Sequence, residues 1–235
     1  MTAKHLSEAL NAVDWNKNAA TFLSNSGLVN RLAACNLTLA LWARQLEDSD
    51  KGNPALSFIR EMQAAGHNVA SVTALGLYKP AASAIRTVFE SALYYTYFRT
   101  HPVELATLLR DSAFYVSKKD VIEFHKTHTP RFQEVQAQFG LSSRVQTWYS
   151  DVSATIHGQI PGKWHHATSL QATKHDSTML NEVIVCFEEC EFIVGKLFLC
   201  TVAQELWDDF SPSSKPKLLK GIAADKKASL GLDLA

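Results

Sequence analysis

The chain has 235 residues, 46% of them hydrophobic and 20% charged, the balance of a compact folded protein rather than a disordered or collagen-like one. Its 23 basic and 23 acidic residues cancel. That excludes a broad electrostatic grip on nucleic acid or on an anionic membrane, so any charged ligand must be met locally.

Residues 1–26 read as an N-terminal helical segment. Their opening, MTAKHLSEALNAVDWNK, is polar and lacks the basic–apolar pattern of a leader. Over 27–47, Leu28, Leu32, Cys35, Leu39 and Trp42 recur at helical spacing and predict an amphipathic helix. EDSDKGNP ends it, and Pro54 suits the first turn of the next helix. That helix is expected to run toward Gly66, which is read as interrupting it, or to continue beyond it with a kink to about Leu77. Lys79-Pro80 opens the best-defined segment, 80–99, and His101-Pro102 closes it, since a residue before proline avoids the helical region. Shorter helices are predicted at 103–116, 118–127, 130–139 and 142–157. A loop, GQIPGKWHHATSLQATKHDST, leads into a last long helix, capped by Asp176 or Ser177 and reaching Asp209.

The expected fold is therefore an all-α antiparallel bundle over 27–210. Residues 211–235, rich in lysine, are expected to form a mobile tail or a weakly attached arm. No stretch of about 18 apolar residues occurs, which predicts a soluble, cytoplasmic protein without a membrane partner. Cys35, Cys186, Cys190 and Cys200 form no CxxC pair and read as small buried hydrophobes in a reducing compartment.

Two polar stripes interrupt the apolar pattern. On helix 80–99, Arg86 and Glu90 lie within about 40° of each other at 3.6 residues per turn. Apolar neighbours flank them on both sides. Burial of such a pair costs several kcal/mol per ion unless hydrogen bonds complete the shell, so two readings stand: a structural ion pair that fixes helix packing, or an Arg that faces a phosphate with Glu90 orienting it. On helix 142–157, Val145, Trp148, Tyr149, Val152 and Ile156 make the core sector. Gln146, Ser150, Ser153 and His157 form a hydrogen-bonding stripe beside it. If the two stripes face each other, an Arg–Glu–Ser–His cluster results.

These two segments, AASAIRTVFESALYYTY and WYSDVSATIHG, resemble the HEPN superfamily, the nucleotide-binding helical bundles of prokaryotes and higher eukaryotes. They are most similar to a bacterial branch pairing A-x-x-x-x-R-x-x-x-E with Y/W-x-x-x-S-x-x-x-H-G. The resemblance implies a bundle that engages RNA or a nucleotide, often as a homodimer or a subunit of a complex, in phage defence or a toxin–antitoxin pair. In its catalytic members it implies a metal-independent ribonuclease, in which a His moves the proton of the attacking 2′-hydroxyl and an Arg stabilises the phosphoryl oxygens. Here Arg86 and His157 would take those roles, with Glu90 and Ser153 in support. The Arg–polar–His spacing of catalytic members is not reproduced. Arg60 and His67 have a fitting separation, but Gly66 and Glu61 speak against them. Binding without cleavage is the leading expectation and cleavage the alternative.

Lys163, Trp164, His165 and His166 form a basic–aromatic loop suited to stacking a base and contacting a phosphate; an ordinary loop with a packed Trp is the plainer reading. The nine histidines include no tetrahedral metal spacing, and no Glu-x-x-His tetrapeptide of a di-iron bundle occurs. GxSxG, GxGxxG and GxxxxGK are absent as well. No metal or cofactor is expected.

Overall fold

A computed structural model describes residues 2–165 and 167–232. Among them there is no strand, and the chain is an all-α helical bundle. In order the helices are α1 (Ala3–Asn11), α2 (Trp15–Ser24), α3 (Ser26–Ser49), α4 (Leu56–Ala74), α5 (Tyr78–Phe98), α6 (Pro102–Arg110), α7 (Lys118–His128), α8 (Phe132–Phe139), α9 (Leu141–Ile156), α10 (Ser177–Cys200), α11 (Ala203–Leu206), α12 (Lys215–Leu218) and α13 (Ala224–Leu230). Short 3-10 turns lie at Leu170–Ala172 and Trp207–Asp209. No helix among the described residues is long and apolar enough to cross a membrane.

The core is a closed ring of four long helices, in which α3 packs on α4, α4 on α5, α5 on α10, and α10 back on α3. The direction of each follows from its contacts. The Cys190 thiol meets the Ile85 carbonyl, and Phe198 meets Tyr95 farther along, so α10 runs parallel to α5. Arg31–Glu188 and Trp42–Phe198 give the same sense against α3. Two parallel neighbours need a long return, and residues 99–176 supply it. Within that return α9 lies against both α5 and α10. Tyr149 reaches Glu90 while Gly158 comes up against the Lys79 ammonium, so α9 descends antiparallel to α5. The cysteines are free; Cys35, Cys190 and Cys200 are buried and Cys186 is half-buried. Burial pushes the Cys35 and Cys200 thiols up to about 12, so both stay protonated and act as packing groups.

Three sequence expectations are corrected. α4 runs unbroken through Gly66. A Cβ there would lie 2.6 Å from the Asn36 amide oxygen on α3, so this glycine is a close-approach position between helices and not a stop. The last long helix ends at Cys200 rather than near Asp209, because Thr201 leaves the helical region at φ −124, ψ −94. Residues 211–232 are packed rather than mobile. Leu218, Leu219, Ile222 and Leu230 are buried, the Ser211 amide donates to the Gln45 side chain, and Arg131 donates to the Ser229 carbonyl. Burial of four aliphatic side chains at about 1.5–3 kcal/mol each outweighs the pull of the lysines into water.

The Gly66 geometry has a measurable consequence. Gly66→Val is expected to lower stability by about 1–3 kcal/mol through overpacking, read by thermal denaturation. With the obstructing amide removed by Asn36→Ala, a further Gly66→Ala is expected to raise stability by up to about 1 kcal/mol from helix propensity. A loss of stability in that second step would show that something other than Asn36 demands the glycine.

Candidate functional site

The Arg86–Glu90 strip is met from α9 by Tyr149, not by the stripe of Gln146, Ser150, Ser153 and His157, of which Gln146, Ser150 and His157 are exposed. Arg86 Nε donates to Glu90 Oε1 at 2.8 Å, and the Tyr149 hydroxyl donates to the same oxygen at 2.6 Å. The Arg86 guanidinium lies 4.8 Å from the Tyr149 ring centroid. The pair is only partly buried, at 26% and 34% exposure for the two side chains. Burial, with the bond to Glu90, pushes the Tyr149 phenol up to about 12, so it remains a donor. Lys118, at the start of α7, sets its ammonium 3.6 Å over the same ring. Tyr94 fixes the loop before it by donating to the Val116 carbonyl. Tyr149 lies on the core sector of the helical wheel and Lys118 carries no signal in the sequence, so neither role was legible there.

Ser153 follows Tyr149 by one turn, and its hydroxyl is buried without a hydrogen-bond partner. His157 is different. It is the C-cap of α9 and exposed, and its ring makes no hydrogen bond among the described residues. Eight residues separate it from Tyr149, about 12 Å along the helix. The structure thus brings together Arg86, Glu90 and Tyr149, leaves Ser153 beside them, and holds His157 at the far end of the strip. Arg60, whose spacing to His67 resembled a catalytic pair, is engaged by Glu47 at 2.8 Å.

Beside that far end, with Ile156 on its lining, lies a cavity of about 1240 Å³. It sits where α5 and α10 begin and α9 ends, and Trp164, His165, Ser169 and Lys174 of the loop after α9 also line it. Lys79, Lys174 and His165 put basic groups on its lining, with Ser83 and Ser169 between them. Asp176 is the acidic residue there, and its carboxylate is committed to capping α10 through the amides of Thr178 and Met179. Buried Asn18 holds one wall by donating to the Leu75 and Thr173 carbonyls and accepting from the His175 amide. Gly76 lets that wall approach. Its φ is +78, and a Cβ would sit 3.0 Å from the Lys174 carbonyl, so glycine alone fits both the conformation and the space.

The basic–aromatic loop is divided rather than united. Trp164 is 5% exposed, has φ 57, and donates its indole N–H to Glu182 at 2.9 Å. The packed Trp, the plainer of the two sequence readings, is therefore the one observed, and the ring is not presented as a stacking platform. Lys163 lines a second groove of about 880 Å³ between α9 and α10, while His165 lines the larger cavity. His166 lies outside the described residues. Among those residues no group of three His, Cys, Asp or Glu side chains is placed to hold a metal ion.

Lys79 and Lys174 escaped the sequence reading. Lys79 carried a signal, since it shares a stripe with Ser83, Arg86 and Glu90 at spacings of four, three and four. Lys174 carried none. No family model, curated protein or solved structure matches this chain.

Proposed function

We propose that this protein is a HEPN-like RNA- or nucleotide-binding bundle that engages its ligand at the cavity between the starts of α5 and α10 and the end of α9. The observation that carries the reading is the cavity's charge. Lys79, Lys174 and His165 line it, and the two lysines outweigh the one carboxylate there, Asp176. In a chain of zero net charge, a locally basic, half-open cavity suits a phosphate-bearing ligand taken one at a time. A part in a defence or toxin–antitoxin system, with a homodimer or partner complex, rests on the family resemblance.

Binding of a labelled single-stranded oligoribonucleotide tests the reading. Lys79→Glu combined with Lys174→Glu is expected to weaken it about tenfold or more, with a shallower salt dependence. Unchanged affinity in that variant removes the cavity as the site.

Cleavage is the second reading, favoured by the free, exposed ring of His157. Arg86 is held by Glu90 well along the strip, so a reacting phosphate would need the two groups from different protomers or a rearranged helix pair. Metal-free RNA cleavage that disappears in both His157→Ala and Arg86→Ala, with thermal transitions near wild type, would establish it.

A further inference from the structure

The group around Tyr149 has more positive charge than its own contacts neutralise. Arg86 and Lys118 both lie on the ring, at 4.8 and 3.6 Å. One carboxylate, Glu90, serves them, and its Oε1 already accepts from Arg86 Nε and the Tyr149 hydroxyl. Lys118 forms no ion pair among the described residues. Its ammonium is half-buried, and burial together with the Arg86 charge lowers its pKa from the ordinary lysine range. A cation held partly out of water beside another cation is unfavourable unless an anion joins it.

We propose that Arg86 and Lys118, set about the Tyr149 ring, form a site for a single backbone phosphodiester of an RNA strand whose neighbouring nucleotide occupies the cavity; this rests on the RNA reading above. Charge selects the ligand class. Two cations and one carboxylate leave a surplus of one, which a phosphodiester's single charge balances. A terminal phosphate carries about −1.5 to −2 at neutral pH and would overshoot beside Glu90. Arg86 offers a planar fork and Lys118 a point charge, so two oxygens of one tetrahedral group can each find a donor. Distance selects a strand over an isolated nucleotide. Lys79 and Arg86 are seven residues apart on α5, about 10 Å along the helix, and Ser83 on the cavity lining lies between them. A chain leaving the cavity along the α5–α9 strip meets the Arg86–Lys118 pair next.

The test is equilibrium binding of a single-stranded oligouridylate to the full chain across a salt series. Lys118→Gln is expected to weaken binding about tenfold and to make the slope of log K against log salt shallower by about 0.7, the loss of one phosphate contact on a single strand. Lys118→Arg is expected to restore both. An oligomer with uncharged methylphosphonate linkages is expected to bind wild type and Lys118→Gln equally. Wild-type affinity and slope in Lys118→Gln, while the Lys79→Glu/Lys174→Glu variant is weakened, would overturn this site and leave the cavity reading intact. A loss confined to Lys118→Gln would do the reverse. Displacement of the oligomer by inorganic phosphate at equal concentration, abolished by Lys118→Gln, would reassign the site to a free or terminal phosphate. Absence of any oligomer binding to wild type would end both proposals.

Discussion

Arg99→Ala is expected to lower the unfolding free energy by about 3–5 kcal/mol, and Arg86→Ala by about 1 kcal/mol or less, although Arg86 lies on α5, Arg99 caps its C-terminal end and both pair with acids. The difference is solvent. Arg99 is 9% exposed and donates to Glu205 at 2.6 Å and to Asp50 at 3.5 Å. Asp50 is itself only 15% exposed and also accepts from the Tyr95 hydroxyl at 2.8 Å. Burial and the Asp50 carboxylate push the Tyr95 phenol well above its ordinary value, so it stays a neutral donor. Removal of Arg99 leaves Asp50 buried with one neutral donor and no cation, the costly half of a broken pair. Removal of Arg86 leaves Glu90 with the Tyr149 hydroxyl, access to water and Lys118 nearby. Arg99→Lys should recover part of the loss, because it restores charge without the fork. Urea denaturation with an unchanged m-value is the measurement. Equal losses at the two positions would mean that the Arg86–Glu90 pair is structural, and would weaken its assignment to a ligand site.

Arg86 stands out in the sequence and Arg99 does not, for a physical reason. Glu90 lies four residues from Arg86, so helical periodicity alone brings them together. Arg99 meets partners 49 and 106 residues away, joined only when the C-terminal ends of α3 and α5 converge with α11. The same rule divides the rest of the molecule. The helices, the Asp176 cap of α10 and the Arg86–Glu90 pair were legible because each is written within one or two turns. Lys118 was not, since its place on the Tyr149 ring depends on how Tyr94 anchors the loop before α7. The C-terminal segment misled because its lysines dominate its composition, while Leu218, Leu219, Ile222 and Leu230 find cover only on the finished bundle. For Trp164 the plainer of the two readings holds: the ring is packed, with its indole N–H on Glu182.

Acidification should loosen the fold through one histidine that the metal and catalysis arguments set aside. His125 of α7 is buried. Thr96 donates its hydroxyl proton to the Leu93 carbonyl at 2.7 Å, so toward the imidazole it acts as acceptor for Nε2–H at 2.8 Å. Nδ1 then accepts from the Thr129 hydroxyl at 2.8 Å, which leaves no place for a second proton. Burial first, and the neighbouring His101 second, lower the His125 pKa to about 4, against about 6.5 in the unfolded chain. Between these values the unfolded state binds a proton that the folded state refuses, so stability rises with pH there. The contribution is fully present above about pH 6.5 and is lost as pH falls toward 4, a change of about 3 kcal/mol. His175, lowered by burial, acts in the same direction. His125→Phe, which keeps an aromatic ring beside Phe124 and Phe132, should flatten the profile over this window. The carboxylates titrate in both proteins, so the diagnostic quantity is the difference between the two curves, expected to close from pH 7 to pH 4. A constant difference would mean that His125 takes up its proton in the folded state. Because the Thr96–His125 bond ties α7 to α5, the same proton should also loosen the helix that presents Lys118 to Tyr149. RNA binding at pH 5 is then expected to fall more in the wild type than in His125→Phe.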